Sequence, residues 1–171
     1  TNTEQMTVRN LSDVSLSDGD NQVWGSSERN LFQIAIAGTK GENYIDGGEG
    51  MDSLFLNLTI LPTNATGFAV NLDTASIALE NNAQVAGSST TTLGAGKLAY
   101  IGAAGTDITS TKQDTLVSIE EIHGGLGADQ FFGSDAHETF LGAEGGDVFF
   151  GGGGVDTLPL NRYGSQDDDT D

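Results

Sequence analysis

The sequence predicts an all-β fold: a parallel β-roll of short strands joined by glycine-rich turns, with a β-rich lobe embedded in it. Three observations predict this class. Glycine accounts for 25 of the 171 residues, residues 124–159 divide into four nine-residue lines that each begin with glycine, and the central segment 56–123 lacks this frame. A period of nine residues fits neither a helix nor simple hairpins, and it is typical of parallel β-helices built from glycine-rich nonapeptides.

The C-terminal block, 124–159, reads GGLGADQFF, GSDAHETFL, GAEGGDVFF and GGGGVDTLP. The sixth residue of each line is acidic: Asp129, Glu138, Asp147 and Asp156. The eighth residue of each line is apolar: Phe131, Phe140, Phe149 and Leu158. We expect positions one to six to form a tight turn in which glycine permits positive φ angles. The last three residues then form a strand whose eighth position points inward.

An N-terminal block, 16–55, repeats the frame more loosely in lines that begin at residues 16, 25, 38 and 47. The position-six residues of these lines are Asn21, Asn30, Asn43 and Asp52. We expect Asn21 and Asn30 to form turns rather than to bind ligands. If this block continues directly into the C-terminal block, Asn43 lies over Asp129 and Asp52 lies over Glu138.

Two nonapeptides complete one coil, because each half of the coil reverses the chain direction. Equivalent turns are therefore 18 residues apart. Asp129 and Asp147 are expected to flank one site, and Glu138 and Asp156 a second site on the opposite edge.

The turns combine one carboxylate with several backbone carbonyls, which is the donor set that Ca²⁺ prefers, with six to eight oxygens at about 2.3–2.6 Å. The sequence therefore predicts several bound calcium ions between stacked turns. The candidate ligands are Asn43, Gly47, Glu49, Asp52, Gly124, Leu126, Asp129, Gly133, Asp135, Glu138, Ala143, Gly145, Asp147, Gly152, Gly154 and Asp156.

These lines resemble the RTX, or haemolysin-type, calcium-binding repeats. Three lines are close matches, at 47–55, 124–132 and 151–159, and the line 142–150 departs at Ala143. The resemblance implies a bacterial protein of the cell surface or extracellular space, type I secretion through a C-terminal signal, and folding where calcium is millimolar. Since the sequence does not begin with methionine, we expect a segment of a longer protein with neighbouring domains.

The segment 56–123 is too long for a passive connection in a compact domain, and its alternating apolar residues predict strands at 68–72 and 116–122. Position nine of the repeats should face outward, yet Phe132 and Phe150 stand there, 18 residues apart. Because a stripe of exposed aromatic rings is unfavourable in water, we expect the lobe or the N-terminal segment to pack over it. The alternative is an apolar face that binds another protein.

A repeat scaffold with an embedded lobe is similar to the peptide-binding domains of large RTX adhesins. That resemblance implies that the chain grips the C-terminus of a peptide with the help of a bound calcium. The candidate contacts are Lys97, Tyr100, Asp107 and Lys112. Three alternatives stay open: a structural module for secretion and calcium-triggered folding, a glycan-binding lectin module on a partner cell's surface, and the accessory domain of a secreted hydrolase.

The chain carries 25 Asp and Glu against 6 Lys and Arg, a net charge of -19. Nucleic acid is an unexpected partner because no basic patch can meet its phosphates, and no apolar run is long enough to insert into a membrane. We predict no enzymatic activity. The segment GAGK (94–97) lacks the Ser or Thr of a phosphate-binding loop, and His123 and His137 are expected to be turn residues. The acidic tail, 160–171, ends in QDDDTD (166–171), which is expected to be disordered.

Overall fold

A computed structural model describes residues 6–9, 12–16, 19–34, 41–56, 61, 65–102 and 113–159. Over these residues the chain forms sixteen β-strands and one short 3-10 helix, and no α-helix. The all-β prediction is confirmed. None of the described segments is a helix of the length and apolarity needed to cross a membrane.

Most strands belong to two sheets, and the chain alternates between them. The first sheet has the order β1-β3-β5-β12-β11-β7-β14-β16, with strands β1 (Met6–Arg9), β3 (Asn21–Trp24), β5 (Tyr44–Asp46), β7 (Ala65–Asn71), β11 (Lys97–Gly102), β12 (Asp114–Val117), β14 (Gln130–Phe132) and β16 (Val148–Phe150). The second sheet has the order β2-β4-β6-β13-β15, with strands β2 (Asp13–Leu16), β4 (Leu31–Ile34), β6 (Ser53–Leu56), β13 (Glu121–His123) and β15 (Thr139–Leu141). All neighbours in the second sheet are parallel. We call each strand of the first sheet and the following strand of the second sheet a coil.

The core lies between the two sheets and is built from position eight of the repeats. This set of inward-facing side chains is fully or almost fully buried: Val23, Phe32, Ile45, Leu54, Phe131 and Phe140. Each such burial contributes roughly 1.5–3 kcal/mol. The pattern ends at the last coil, where Phe149 is only partly buried and Leu158 is exposed.

The insertion between β6 and β12 is not a separate lobe beside the sheets, because three of its strands belong to the first sheet. Strand β11 pairs antiparallel with both β12 and β7, and β7 pairs parallel with β14. The third strand, β9 (Gln84–Val85), pairs antiparallel with β11. The other described elements of the insertion are a two-stranded sheet of β8 (Ile77–Ala78) and β10 (Thr92–Leu93) and a 3-10 helix (Glu80–Asn82). We call the described residues 65–102 the lobe.

The part of the lobe between β7 and β11 covers the outer face of the first sheet. Phe131 joins the core between the sheets, whereas its neighbour Phe132 joins a second hydrophobic cluster with Leu79, Val85 and Leu93. Adjacent residues of a strand point to opposite faces, so this cluster lies outside the coils. The expectation that the insertion packs over Phe132 is confirmed. Phe150 stacks on Phe132, with ring centroids 4.9 Å apart, but is 40% exposed.

The structure corrects the predicted end of the insertion and the phase of the repeats. Residues 114–123, assigned to the lobe from sequence, form a coil of their own: β12 pairs with β5, and β13 lies between β6 and β15. The single strand predicted over 116–122 is therefore two strands, separated by a turn at Ser118, whose φ is 50°. This coil was missed because its turns lack the glycine frame.

Since the extra coil intervenes, the predicted vertical neighbours are wrong. Asn43 lies beside Asp114 rather than Asp129, and the backbone N–H of Asp52 meets Glu120 rather than Glu138. The lines 47–55 and 124–132 are thus not directly stacked.

Candidate metal centre

The position-six side chains form a hydrogen-bonded ladder along each edge of the coils. On one edge, Asn43 Oδ1 accepts from the N–H of Asn21 (3.2 Å), and Asp114 Oδ1 accepts from the N–H of Asn43 (2.9 Å). Further along that edge, Asp147 Oδ1 accepts from the N–H of Asp129 (3.0 Å). Each side chain therefore fixes the register of the turn before it.

The opposite edge carries the second ladder. Asp52 Oδ1 accepts from the N–H of Asn30 (2.7 Å), and Glu120 Oε2 accepts from the N–H of Asp52 (2.8 Å). In the last coil, Asp156 Oδ1 accepts from the N–H of Glu138 (3.0 Å). The predicted 18-residue pairs, Asp129 with Asp147 and Glu138 with Asp156, are confirmed as neighbours.

Asp129 has a partner from the lobe where a preceding repeat would otherwise lie. Its Oδ1 accepts from the N–H of Phe68 (2.7 Å), and its Oδ2 accepts from the N–H of Gly125 (2.7 Å). The N–H of Ala128 also donates to the carbonyl of Thr66 (2.8 Å). The beginning of β7 thus serves as the turn on which residues 124–129 stack.

Glycine at positions two and four lets successive turns stack closely. A Cβ at Gly152 would lie 2.2 Å from the carbonyl oxygen of Ser134, and one at Gly154 would lie 1.7 Å from that of Ala136. Both glycines have positive φ, at 85° and 77°. No other residue fits without moving the chain, because real Cβ contacts do not come this close. Ala143 keeps a left-handed backbone, φ 74°, where the other strong repeats have glycine.

Glycine at position one leaves space for oxygens from two turns. The point where Gly47 would carry a Cβ lies 2.0 Å from the Ser118 carbonyl and 2.5 Å from Asp52 Oδ2. Gly133 repeats this arrangement with the Gly151 carbonyl and Glu138 Oε2, at 2.1 and 3.0 Å. We call each such pair of oxygens, one from a carboxylate and one from a carbonyl of the next coil, a position-one pocket.

The position-six carboxylates of Asp52, Asp129 and Glu138 are buried and that of Asp147 is partly buried, and the ion pairs among the described residues involve none of them. Burial raises the pKa of Asp129 to about 7, and it also raises the pKa values of Asp52, Glu138 and Asp147. Asp52 Oδ2 and Glu138 Oε2 are buried and have no hydrogen-bond partner within the part of the chain that the structure describes. A buried charged oxygen without a partner is costly, so a cation or a proton is needed at these positions.

The donor set fits calcium. It is made of carboxylate and carbonyl oxygens, which are the ligands of a hard cation, and two of the carboxylate oxygens, Asp52 Oδ2 and Glu138 Oε2, have no hydrogen-bond partner among the described residues. Among the described residues no three His, Cys, Asp or Glu side chains converge on one point. An ion here would therefore take much of its coordination from the backbone, as the predicted donor set requires.

The other predicted calcium ligands lie in different surroundings, some buried in the ladder and some exposed at the tips of turns. Asn43 is buried in the ladder, with its Nδ2 donating to Asp114 Oδ1 (3.0 Å). The side chains of Glu49, Leu126 and Asp135 point to solvent at the tips of their turns. A Cβ at Gly145 would lie 2.1 Å from the carbonyl oxygen of Gly127, so the two turns are closely stacked there. Leu126 and the glycines among the predicted ligands have no side-chain oxygen, so each can bind an ion only through its backbone carbonyl.

Of the predicted peptide contacts, Lys97 and Tyr100 lie among the described residues. Tyr100 is buried against Phe68, with ring centroids 5.3 Å apart. Lys97 donates from Nζ to Thr115 Oγ1 (2.7 Å). Positions 97 and 100 are an odd number apart on β11 and therefore face opposite sides of the sheet. Asp107 and Lys112 lie outside the described residues, as does the acidic tail.

Sequence reasoning missed Asp114, Glu120 and Glu121. The signal was present, because Asp114 precedes Leu116 by two residues and Glu120 precedes Ile122 by two, the same spacing as positions six and eight. Glu121 accepts hydrogen bonds from Ser53 (2.8 Å) and Arg29 (2.9 Å) on the outer face of the second sheet.

The two histidines lie in different settings. His123, predicted in a turn, lies in β13 and stacks on Phe55 at 3.8 Å. It also contacts Glu121 Oε1 at 2.7 Å. His137 does lie in a turn, where its Nδ1 accepts from the N–H of Val155 (2.7 Å).

Comparison of the chain with protein-family models and with curated protein sequences found no match. A family assignment therefore rests on the repeat residues and on their arrangement in the two sheets.

Proposed function

We propose that the chain is a calcium-binding β-roll module of the RTX type, in which ions held between stacked turns drive folding. The observation that supports this most directly is the position-one pocket. The pocket occurs at Gly47 and Gly133 on one edge of the coils and at Gly124, beside Asp129 Oδ2 and the Gly142 carbonyl, on the other. Among the described residues, Asp52 Oδ2 and Glu138 Oε2 are buried without a hydrogen-bond partner.

In this proposal the ions are held by Asp52, Asp129, Glu138, Asp147 and Asp156 together with carbonyl oxygens of the neighbouring turns. Bound calcium supplies positive charge and ligates oxygens that otherwise repel each other. The glycine-rich turns lose much backbone entropy on ordering, and ion binding offsets that loss. Folding would then occur outside the bacterial cell, where calcium is abundant, after secretion.

Isothermal titration calorimetry with calcium, followed by circular dichroism with and without chelator, tests this function. We expect several ions per chain, with affinities of about 10⁻⁴–10⁻³ M for uncoupled sites, and a loss of β-structure in chelator. A chain that binds no calcium, or that keeps an unchanged spectrum in chelator, contradicts the proposal.

A second candidate function is non-catalytic adhesion through the lobe. The lobe has a hydrophobic cluster of its own, including Leu79, Val85 and Leu93, which a module for secretion and folding alone does not need. The ligand would be a peptide C-terminus or a glycan on another cell, with a calcium ion taking part.

Binding of free-acid and C-terminally amidated peptides, measured with and without calcium, distinguishes peptide adhesion from the other candidate functions. Peptide adhesion requires that amidation abolish binding. Equal binding of both forms excludes capture of the terminal carboxylate. Failure of peptides and glycans alike leaves the structural module as the function.

A further inference from the structure

The turn between β12 and β13 differs from every repeat turn. Three residues, Ser118 to Glu120, replace the six-residue GGxGxD loop, and Ser118 takes a φ of 50° without being glycine. A left-handed backbone at a residue other than glycine costs roughly 1–2 kcal/mol. The turn nevertheless stacks on the glycine-rich turn 47–52, since the N–H of Gly47 donates to the carbonyl of Val117 (2.9 Å).

This short turn places a carbonyl oxygen beside a buried carboxylate. The Ser118 carbonyl and Asp52 Oδ2 lie 2.0 and 2.5 Å from the same point beside Gly47. Asp52 is fully buried, and its Oδ2 has no hydrogen-bond partner among the described residues. Both oxygens carry negative charge and approach the same side of Gly47, so a cation or a proton within reach of both would offset their repulsion.

Glu120 brings a second carboxylate to the same turn. Its Oε2 accepts from the N–H of Asp52 (2.8 Å), and the N–H groups of Glu120 and Glu121 both donate to the carbonyl of Asp52 (3.1 and 2.9 Å). Asp46, at the start of the turn, adds a further negative charge near Asp52. The nearby Arg29 pairs with Glu121, not with Asp52. Glu138 lies next along this edge, where its negative charge acts on Glu120, while its Oε2 faces the Gly151 carbonyl of the next pocket.

We propose that this junction holds a calcium ion of its own, ligated by Asp52 Oδ2, the Ser118 carbonyl and the Glu120 carboxylate. Half of the site comes from a turn that no repeat encodes. The ion would join the N-terminal block to the coil that follows the lobe. The identity of the ion rests on the proposed function.

The competing explanation is a proton on Asp52 that donates to the Ser118 carbonyl. The variant Asp52→Asn separates the two, because its amide can donate to that carbonyl but cannot replace an anionic ligand. Glu120→Gln is the second variant, and it keeps an oxygen that can accept from the N–H of Asp52. Glu80→Gln, in the exposed 3-10 helix of the lobe, makes the same change of charge away from the junction and is the control.

Calcium bound per chain is measured by equilibrium dialysis at saturation, and melting temperatures are measured in calcium and in chelator. We expect D52N and E120Q each to bind one ion fewer than the wild type and E80Q. Both variants should have a lower melting temperature than the wild type in calcium and an unchanged one in chelator. If D52N does not fold, the number of calcium ions bound per chain of E120Q tests the proposed site. Unchanged stoichiometry in the variants, beside a wild type that binds several ions, overturns this inference alone. A wild type that binds no calcium overturns the proposed function and this site with it.

Discussion

Gly145 and Gly146 are neighbours in one turn, yet they have different surroundings. Gly145 has a φ of 112°, and a Cβ there would lie 2.1 Å from the carbonyl of Gly127 in the turn below. Gly146 has no atom within 4 Å of its would-be Cβ. At the scale of single residues, glycine is therefore required where turns stack and is replaceable where the backbone faces open space.

This difference predicts opposite effects for two alanine substitutions. Gly145→Ala should destabilise the folded protein by about 2 kcal/mol or more, because it adds both a backbone clash and left-handed strain. Gly146→Ala should be neutral, or stabilising by about 0.4–1 kcal/mol through the entropy of the unfolded chain. Urea unfolding in calcium measures both, and equal destabilisation by the two variants would contradict the stacking of the turns.

Asp129 predicts how the calcium-free protein responds to pH. Burial, with a smaller contribution from Asp147, raises its pKa to about 7, from an ordinary value near 4. The folded state thus holds this proton to a higher pH than the unfolded state does. The stabilisation is complete below about pH 4 and is lost as the pH rises through 7, at a cost on the order of 2–3 kcal/mol between pH 5 and pH 8.

In calcium-stripped buffer, acidification from pH 8 to pH 5 should therefore increase the β-signal in circular dichroism. Asp129→Asn should flatten this response, since an amide does not titrate, whereas the exposed control Glu80→Gln should retain it. A calcium-free protein that becomes more stable as the pH rises would show that the buried carboxylates do not dominate the pH dependence of its stability.

At the scale of elements, the sequence was informative where local chemistry repeats. Glycine frames located the turns of both blocks, and position eight located core residues such as Phe32 and Phe131. The strand pairing of the insertion was not predictable from sequence, because β7 and β11 enter the first sheet through contacts with residues far away in the chain. Tyr100 is an example: its polar tip suggested a ligand site, but its partner Phe68 buries it.

The contact between lobe and first sheet predicts unequal roles for Phe132 and Phe150. Both belong to the same stacked pair, but only Phe132 reaches the second hydrophobic cluster. Phe132→Ala should cost about 3–5 kcal/mol in the free energy of unfolding. Phe150→Ala, which loses the same stacking, should cost roughly 1 kcal/mol. Equal costs by urea unfolding would mean that the lobe contributes little to the stability of the sheet.

At the scale of the whole molecule, a net charge of -19 opposes compaction. The described structure places many of these carboxylates in two ladders, where neighbouring coils are separated by only one strand spacing, about 4.7–4.9 Å. Hydrogen bonds from backbone N–H groups offset part of the repulsion. The rest requires positive charge, which six Lys and Arg cannot supply along both edges. Protonation of buried carboxylates such as Asp129 removes part of the negative charge, and diffuse screening by salt or ligation by calcium balances the remainder.

These two sources of positive charge differ in a measurable way. Screening depends on ionic strength alone, whereas ligation follows mass action: a site with calcium at 100 times its Kd gains about 2.7 kcal/mol. With several sites, and about 2–4 °C per kcal/mol for a chain of this size, 10 mM calcium should raise the melting temperature by roughly 10 °C or more. Potassium chloride at the same ionic strength, about 30 mM, should raise it by a few degrees at most. If potassium chloride is as effective as calcium, the acidic ladders are screened rather than ligated, and calcium does not drive folding.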